Sequence, residues 1–275
     1  MNQIFLKDVN VKKFMKLLQN TLTFKKNMLT LYIDGGVIKS FSKNDSGSMF
    51  KYIESDLSEY CTETKSSLEE RGTVIFTSAE KIINVMKNLG TEECDITIEF
   101  TKSDSFGMLS RIMKISNKFF DVNLPAMSEL LCDVISTDIY FKDEYVNRFV
   151  NVPDVMSFNI PDIKQIMSCL GISADDNKFV IYAQNDSMYL SQLADTETKR
   201  TFEEVANAQT VFRYNLESTL AKNGEYAYYS KDNFLQVNPN NEYTASIITL
   251  GPQLPLKLKS DGVCRELYVM TNIIA

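Results

Sequence analysis

The sequence predicts an α+β fold in which one supersecondary unit occurs twice, and three matched patterns carry that expectation. Val11-Lys12-Lys13-Phe14-Met15-Lys16-Leu17-Leu18 has apolar residues at its first, fourth, fifth and eighth places, and Ile163-Lys164-Gln165-Ile166-Met167-Ser168-Cys169-Leu170 repeats this 152 residues later. Phe5 and Phe158 precede the two segments. Asn27-Met28-Leu29-Thr30-Leu31-Tyr32 is matched by Asn177-Lys178-Phe179-Val180-Ile181-Tyr182 at a separation of 150. Thr73-Val74-Ile75-Phe76-Thr77 with Glu80 is matched by Thr210-Val211-Phe212-Arg213-Tyr214 with Glu217 at a separation of 137. Self-similarity in the same order at a long period marks a duplicated module. The falling separation predicts longer loops in the first copy.

Each copy reads as helix, strands, a short strand running straight into a second helix, then more strands. In the first copy, a period near 3.6 predicts helices at 9–22 and 78–89. Strands are predicted at 28–33, 37–42, 48–53, 73–77, 95–100, 106–110 and 111–119. In the second copy, helices are predicted at 161–170 and 215–223, with strands at 178–184, 187–193, 199–206, 210–214, 225–230, 233–237, 243–249 and 265–271. Alternation supports several strands, as in Ile96/Ile98/Phe100 and Tyr226/Tyr228. Ser78 and Asn215 stand where N-caps belong, and Gly90, Gly171 and Gly224 stand where helices should stop. Gly35-Gly36, between two strand-like runs, predicts a tight hairpin.

A chain of 275 residues suits two domains. Their expected bounds are 1–121 and 157–275, joined by a connector over 122–156 that holds Leu124-Pro125, Leu130-Leu131, Val152-Pro153 and many acids, with a short strand at 139–141. Residues 43–72 read as a long surface insertion in the first domain.

Composition narrows the chemistry. There is no histidine, which removes the commonest general base and metal ligand, and no acid pair or glycine-rich phosphate loop stands out. The sequence therefore predicts no enzyme, no metal and no cofactor. The five cysteines are an odd number with no CxxC pair, as expected of reduced thiols in a cytosol. No apolar run reaches the roughly 20 residues of a membrane span, and the first residues lack a signal-peptide hydrophobic region, so a cytoplasmic location is expected.

The net charge of −7 argues against indiscriminate wrapping of nucleic acid, so the position of the lysines decides. At 100° per residue, Val11, Phe14, Met15 and Leu18 cluster on one side of the first helix, and Lys12, Lys13 and Lys16 on the other. In the second helix Ile82, Val85, Met86 and Leu89 point inward, with Lys81, Asn84 and Lys87 largely outward. In the second copy, Lys164, Gln165 and Ser168 take the outer face, with Lys222 near the end of the last helix. Helix faces are lysine-rich while the connector and insertion hold much of the acid.

This duplicated pattern resembles the DNA polymerase sliding clamp family, nearest to the clamps of T4-like bacteriophages and more distantly to proliferating cell nuclear antigen. Met113-Lys114-Ile115-Ser116-Asn117-Lys118 followed by Leu124-Pro125 is similar to the clamps' last strand of domain one entering the interdomain loop. Leu254-Pro255-Leu256-Lys257-Leu258 through Arg265-Glu266-Leu267-Tyr268-Val269-Met270 is similar to their final strand pair, although the tail Asn272-Ile273-Ile274-Ala275 lacks the familiar Ala-Pro. The resemblance implies two clamp-fold domains in a closed ring on double-stranded DNA, an ATP-dependent clamp loader, and a docking groove for DNA polymerase and loader peptides. Leu124, Pro125, Pro255, Val269 and Thr271 match that groove most nearly. A non-encircling phage structural or host-interaction protein of duplicated design is the alternative.

Geometry supplies a subunit number. Helices pack about 8–10 Å apart, so twelve in a ring give an axis-to-axis diameter of about 35 Å and a gap near 25 Å once one helix thickness of about 10 Å is removed. Eight would leave roughly 13 Å, too narrow for a duplex. Four helices per chain thus predict a homotrimer, closed by pairing of the strand at 111–119 with a neighbour's edge strand, 199–206.

Overall fold

The computed structural model describes residues 2–22, 24, 28–68, 72–76, 78–102, 109–126, 151–160, 162–172, 177–193, 210–221, 226–248 and 254–273. The chain divides into two compact units, one built from Met1–Lys43, Tyr52–Tyr145 and Val263–Arg265, the other from Asn44–Lys51, Val146–Gly262 and Glu266–Ala275.

The first unit runs β1 (Asn2–Asn10), α1 (Val11–Thr21), β2 (Leu29–Asp34), β3 (Val37–Lys43), β4 (Met49–Asp56), a 3-10 turn (Leu57–Glu59), β5 (Glu63–Ser66), β6 (Gly72–Phe76), α2 (Ala79–Lys87), β7 (Glu93–Lys102), β8 (Leu109–Ser116) and β9 (Asp121–Pro125). One antiparallel sheet has the order β5-β1-β7-β8-β9, and β4, β3, β2 and β6 follow one another in a second hydrogen-bonded run. The core lies where Ile4, Leu6, Ile96, Ile98 and Ile115 of the first sheet and Leu31 and Ile33 of the second meet Phe14 and Leu18 of α1 and Ile82 and Met86 of α2.

The second unit runs β10 (Asp154–Ile160), α3 (Ile163–Ile172), β11 (Lys178–Gln184), β12 (Ser187–Leu193), β13 (Thr210–Leu220), β14 (Tyr226–Ser230), the single turn α4 (Lys231–Phe234), β15 (Tyr243–Ile248), β16 (Leu256–Asp261) and β17 (Arg265–Met270). Its strand order is β14-β11-β12-β13-β10-β15-β16-β17.

The duplication is explicit in the pairing. β1 with β7 and β7 with β8 in the first unit become β10 with β15 and β15 with β16 in the second. Likewise β2 pairs β3 and β6, as β11 pairs β12 and β14. Asn10 Oδ1 accepts from the Lys13 amide at 2.9 Å to cap α1, and Asp162 Oδ1 accepts from the Gln165 amide at 3.0 Å at the start of α3. Both hairpin turns need left-handed backbone: Gly35 has φ 61°, and Asn185 and Asp186 have φ 53° and 58°. Glycine tolerates this at no steric cost, and Asn and Asp are the residues that tolerate it best after glycine.

Four expectations change. The third match pairs the wrong segments: the strand that enters a helix in the second copy is β14 leading into α4, not residues 210–214. Ser78 stands at the N-cap of α2 and Ser230 at that of α4, again 152 residues apart, so the separation runs 152, 150, 152 instead of falling to 137. Second, the helix predicted at 215–223 is strand β13 over its described part. Leu216 is buried between exposed Asn215 and Glu217, a period of two, and β13 is bonded on both sides, to β12 (Met188 opposite Leu216) and to β10 (Asn159 opposite Glu217). Residues 233–237, predicted as strand, instead supply the end of α4 and the turn after it. Third, the stretch 43–72 is no surface insertion. It carries β4, the 3-10 turn and β5, and it buries Met49, Tyr52, Ile53, Leu57 and Tyr60. Its Ser/Glu/Lys-rich part includes β5, an edge strand among the described residues. Fourth, the strand predicted at 111–119 ends at Ser116, and Leu124-Pro125 closes a further strand, β9. The segments 139–141 and 199–206 lie outside the described residues.

Candidate nucleic-acid interface

The lysines project because the apolar period of each helix points the other way. On α1, Val11, Phe14, Leu17, Leu18 and Thr21 are buried, and Lys12, Lys13 and Lys16 are exposed. On α2, Ala79, Ile82, Ile83 and Met86 are buried, and Lys81, Asn84, Lys87 and Asn88 are exposed. Gly90, at φ 66°, breaks the chain away after α2. On α3, Ile163, Ile166 and Leu170 are buried beneath exposed Lys164, Gln165 and Ser168.

Met15 and Val85, expected inside, are only half-buried, and each borders a groove. A groove of about 580 Å³ runs between α1 and α2, bordered by Asn10, Lys12, Met15, Met86, Lys87 and Glu92. A second, of about 480 Å³, lies beside α2 and is bordered by Lys81, Asn84, Val85, Phe120, Val122 and Leu124. The structure therefore brings Lys12 and Lys87 to one groove, sets Lys13 and Lys16 beside Lys12 on the outer face of α1, and turns Lys81 to the other flank of α2. Lys164 belongs to the second unit, and Lys222 lies outside the described residues.

Among the described residues the ion pairs use other cations: Lys39 and Arg265 with Glu54, Lys65 with Glu63, Lys114 with Glu99, Lys257 with Asp154, and Lys259 with Asp261. The lysines of α1 and α2 are thus exposed ammonium groups on flexible stems, suited to transient phosphate contact rather than a fixed bidentate grip. Among the described residues no cluster of three or more His, Cys, Asp or Glu is placed to hold a metal, and no helix is long and apolar enough to cross a membrane.

No protein-family model and no curated protein matches this sequence. Solved structures do match over the whole chain. The A. fulgidus PCNA bound to the C-terminal region of FEN-1 aligns with a TM-score of 0.61 at 8% identity, covering 100% of this chain and 99% of that one. The proliferating cellular nuclear antigen of Entamoeba histolytica aligns with a TM-score of 0.61 at 11% identity, covering 99% of each chain. The H. pylori beta clamp aligns with a TM-score of 0.63 at 9% identity, covering 100% of this chain and 67% of that one.

The fold is that of the sliding clamps.

Within this clamp fold the five residues expected at a docking groove fall in both units. Leu124 is half-buried and borders the groove beside α2, and Pro125 is exposed at the end of β9. In the second unit Pro255 and Val269 are buried, and Thr271 donates from both its amide and its hydroxyl to the Ser48 carbonyl, at 2.8 and 3.2 Å. Sequence reasoning missed an apolar feature of the first unit. Phe119 and Phe120 sit in the turn before β9, Phe119 82% exposed, and both amides donate to Asn117 Oδ1. The signal was present as an aromatic pair followed by the alternating Val122 and Leu124, but the neighbouring prolines and acids of the connector obscured it.

Proposed function

We propose that this chain is a processivity clamp: a homotrimeric ring that encircles double-stranded DNA without reading sequence and tethers a replicative DNA polymerase. The carrying observation is the row of exposed lysines on α1 and α2, outside the ion pairs of the described residues, on a clamp fold whose overall charge is negative. Such a surface holds phosphates through counterion release, while a closed ring, not affinity, keeps the protein on its template. The clamp turns over no substrate of its own; an ATP-dependent loader opens it and the polymerase does the chemistry. Sequence pattern favours T4-like phage clamps as the nearest relatives and, with them, the host cytoplasm.

Among the described residues the tally of four helices per chain does not support three subunits, since α4 is one turn and the described part of the fourth predicted helix is β13. Length supports that number instead: this two-module chain spans 99% of the PCNA chains and 67% of a beta-clamp chain, and cyclic symmetry closes identical chains into a ring. Closure shifts by one strand from the expected 111–119. β8 has β7 on one side and β9 on the other, so the edge is β9, flanked by Phe119 and Phe120. Leu124, Pro125, Pro255, Val269 and Thr271 remain the proposed partner-contacting set.

Light scattering tests the assembly: three times the 31.4 kDa chain mass supports it, and a stable monomer refutes it. Exchanging Lys12, Lys13 and Lys16 together for Glu should leave that mass intact while abolishing stimulation of the polymerase on primed DNA. Unchanged stimulation refutes the assigned surface.

A further inference from the structure

The separation of 152 shared by both pairs of helix starts allows each helix lysine of the first unit to be compared with its counterpart. Residues 152 apart share cap and helix positions: Asn10 with Asp162, Val11 with Ile163, and Ser78 with Ser230. At that separation Lys12 corresponds to Lys164, but Lys13 to Gln165 and Lys16 to Ser168. All three residues of the second set are exposed, as are all three lysines of the first, so burial does not explain the exchange. Lys81 corresponds to Asn233, which is buried and donates to Ser48 Oγ at 3.0 Å, and Lys87 corresponds to Pro239, beyond the end of α4. Of five cationic positions, the second copy keeps one. Glu80 is the only acid on α1 and α2, which leaves their exposed faces at a net +4, with Glu92 at the groove rim. On α3, the single Lys164 is set against its own capping Asp162.

We infer that the first unit alone supplies the phosphate-contacting surface, the patch of Lys12, Lys13, Lys16 and Lys87 about the groove between α1 and α2, and that the described helix face of the second unit, where Lys164 and Lys231 are offset by Asp162 and Asp232, is a spacer of no net charge. This rests on the proposed DNA reading and sharpens it. A ring of identical modules would grip a duplex with six equivalent surfaces; this one grips with three, separated by neutral stretches. The ligand is the sugar-phosphate backbone of duplex DNA of any sequence.

The test measures binding of the full-length protein to a fluorescent linear duplex by anisotropy across a salt series. Removing one lysine–phosphate interaction lowers the slope of log affinity against log salt by about 0.9, which near 0.1 M salt is roughly eightfold in affinity. Lys12→Gln/Lys13→Gln/Lys16→Gln should lower affinity at least about tenfold and flatten the slope by about one or more. Lys164→Gln, alone or with Lys231→Gln, should change affinity less than about twofold. All these side chains lie at or near the surface, so mass and thermal melting should match the parent and exclude misfolding. Equal losses from the two sets overturn the asymmetry and leave the DNA reading standing. Salt-insensitive binding, or none, by the parent protein overturns both.

Discussion

Replacing Phe119 and Phe120 together by Asp should break the assembly without unfolding the chain. Phe119 is 82% exposed and Phe120 36% exposed, so together they present about 1.2 phenylalanine side chains to solvent. At roughly 200 Å² per ring and 25 cal/mol per Å², covering them would contribute at most about 6 kcal/mol. Interface truncations return part of such a sum, about 2–4 kcal/mol at a well-packed aromatic site. That is roughly 30- to 1,000-fold in dissociation constant for each seam. A ring with several such seams then dissociates over a concentration range where the parent stays assembled. Light scattering and sedimentation over a dilution series read this directly, while Asn117 still holds the turn through backbone amides that the substitutions keep. Folding is checked by an unchanged circular dichroism melt. If the substituted protein keeps the parent's mass at every dilution, the seam lies elsewhere and the β9 edge argument fails.

Phe14→Ala should destabilise the chain by about 3–5 kcal/mol in urea unfolding, since the ring is fully buried and packs edge-on against Tyr60 at 6.1 Å. Cys94 should resist thiol reagents at pH 8 while Cys61 and Cys264 react, because burial first and the charge of Asp95 second push its thiol up to about 12; prompt labelling of three thiols among these would contradict this. Burial also raises the hydroxyls of Tyr229, Tyr243 and Tyr268 well above 10, with the Glu266 charge adding to the last two. These three are neutral when folded, so their contribution is complete below pH 10 and is lost as the pH rises past the unfolded value. Tyrosinate absorbance should therefore appear in two phases, the later one coinciding with unfolding; a single phase near pH 10 with the fold intact would count against it. Glu266→Ala should cost about 3 kcal/mol or more, because the buried carboxylate accepts from Asn238 Nδ2 at 2.9 Å and from the Tyr243 and Tyr268 hydroxyls at 2.8 and 3.2 Å.

Where a segment has one buried face and one wet face, the residues announce it. Val11, Phe14 and Leu18 set the register of α1, and Ile96, Ile98 and Phe100 that of β7, with little help from the rest of the chain. The failures fall where tertiary pairing decides. β13 carries a cap-like Asn215 and a helix-compatible Leu-Glu-Ser run, yet neighbours on both sides claim its backbone groups. Asn10 both ends β1 and caps α1, and Asp162 caps α3 two residues after β10 ends at Ile160; neither strand was anticipated as a full sheet member. The lysine faces were legible because a charged side chain on an amphipathic helix has only one place to go. Their unequal value between the copies was not, since that comparison needs the corrected alignment of Ser78 with Ser230.

The brevity of β9 has a mechanical meaning. Five residues, the last a proline with no amide hydrogen, offer a neighbour four or five backbone hydrogen bonds at most. At about 0.5–1.5 kcal/mol net for each, the backbone of such a joint contributes roughly 2–7 kcal/mol, a share comparable with that of the aromatic pair. A fastening of that kind parts under modest force and reseals in one register, since slipping by a residue would carry the phenylalanines out of place. In the proposed ring, which must be threaded over its template, a short strand ending in proline would make a hinge that gives without tearing.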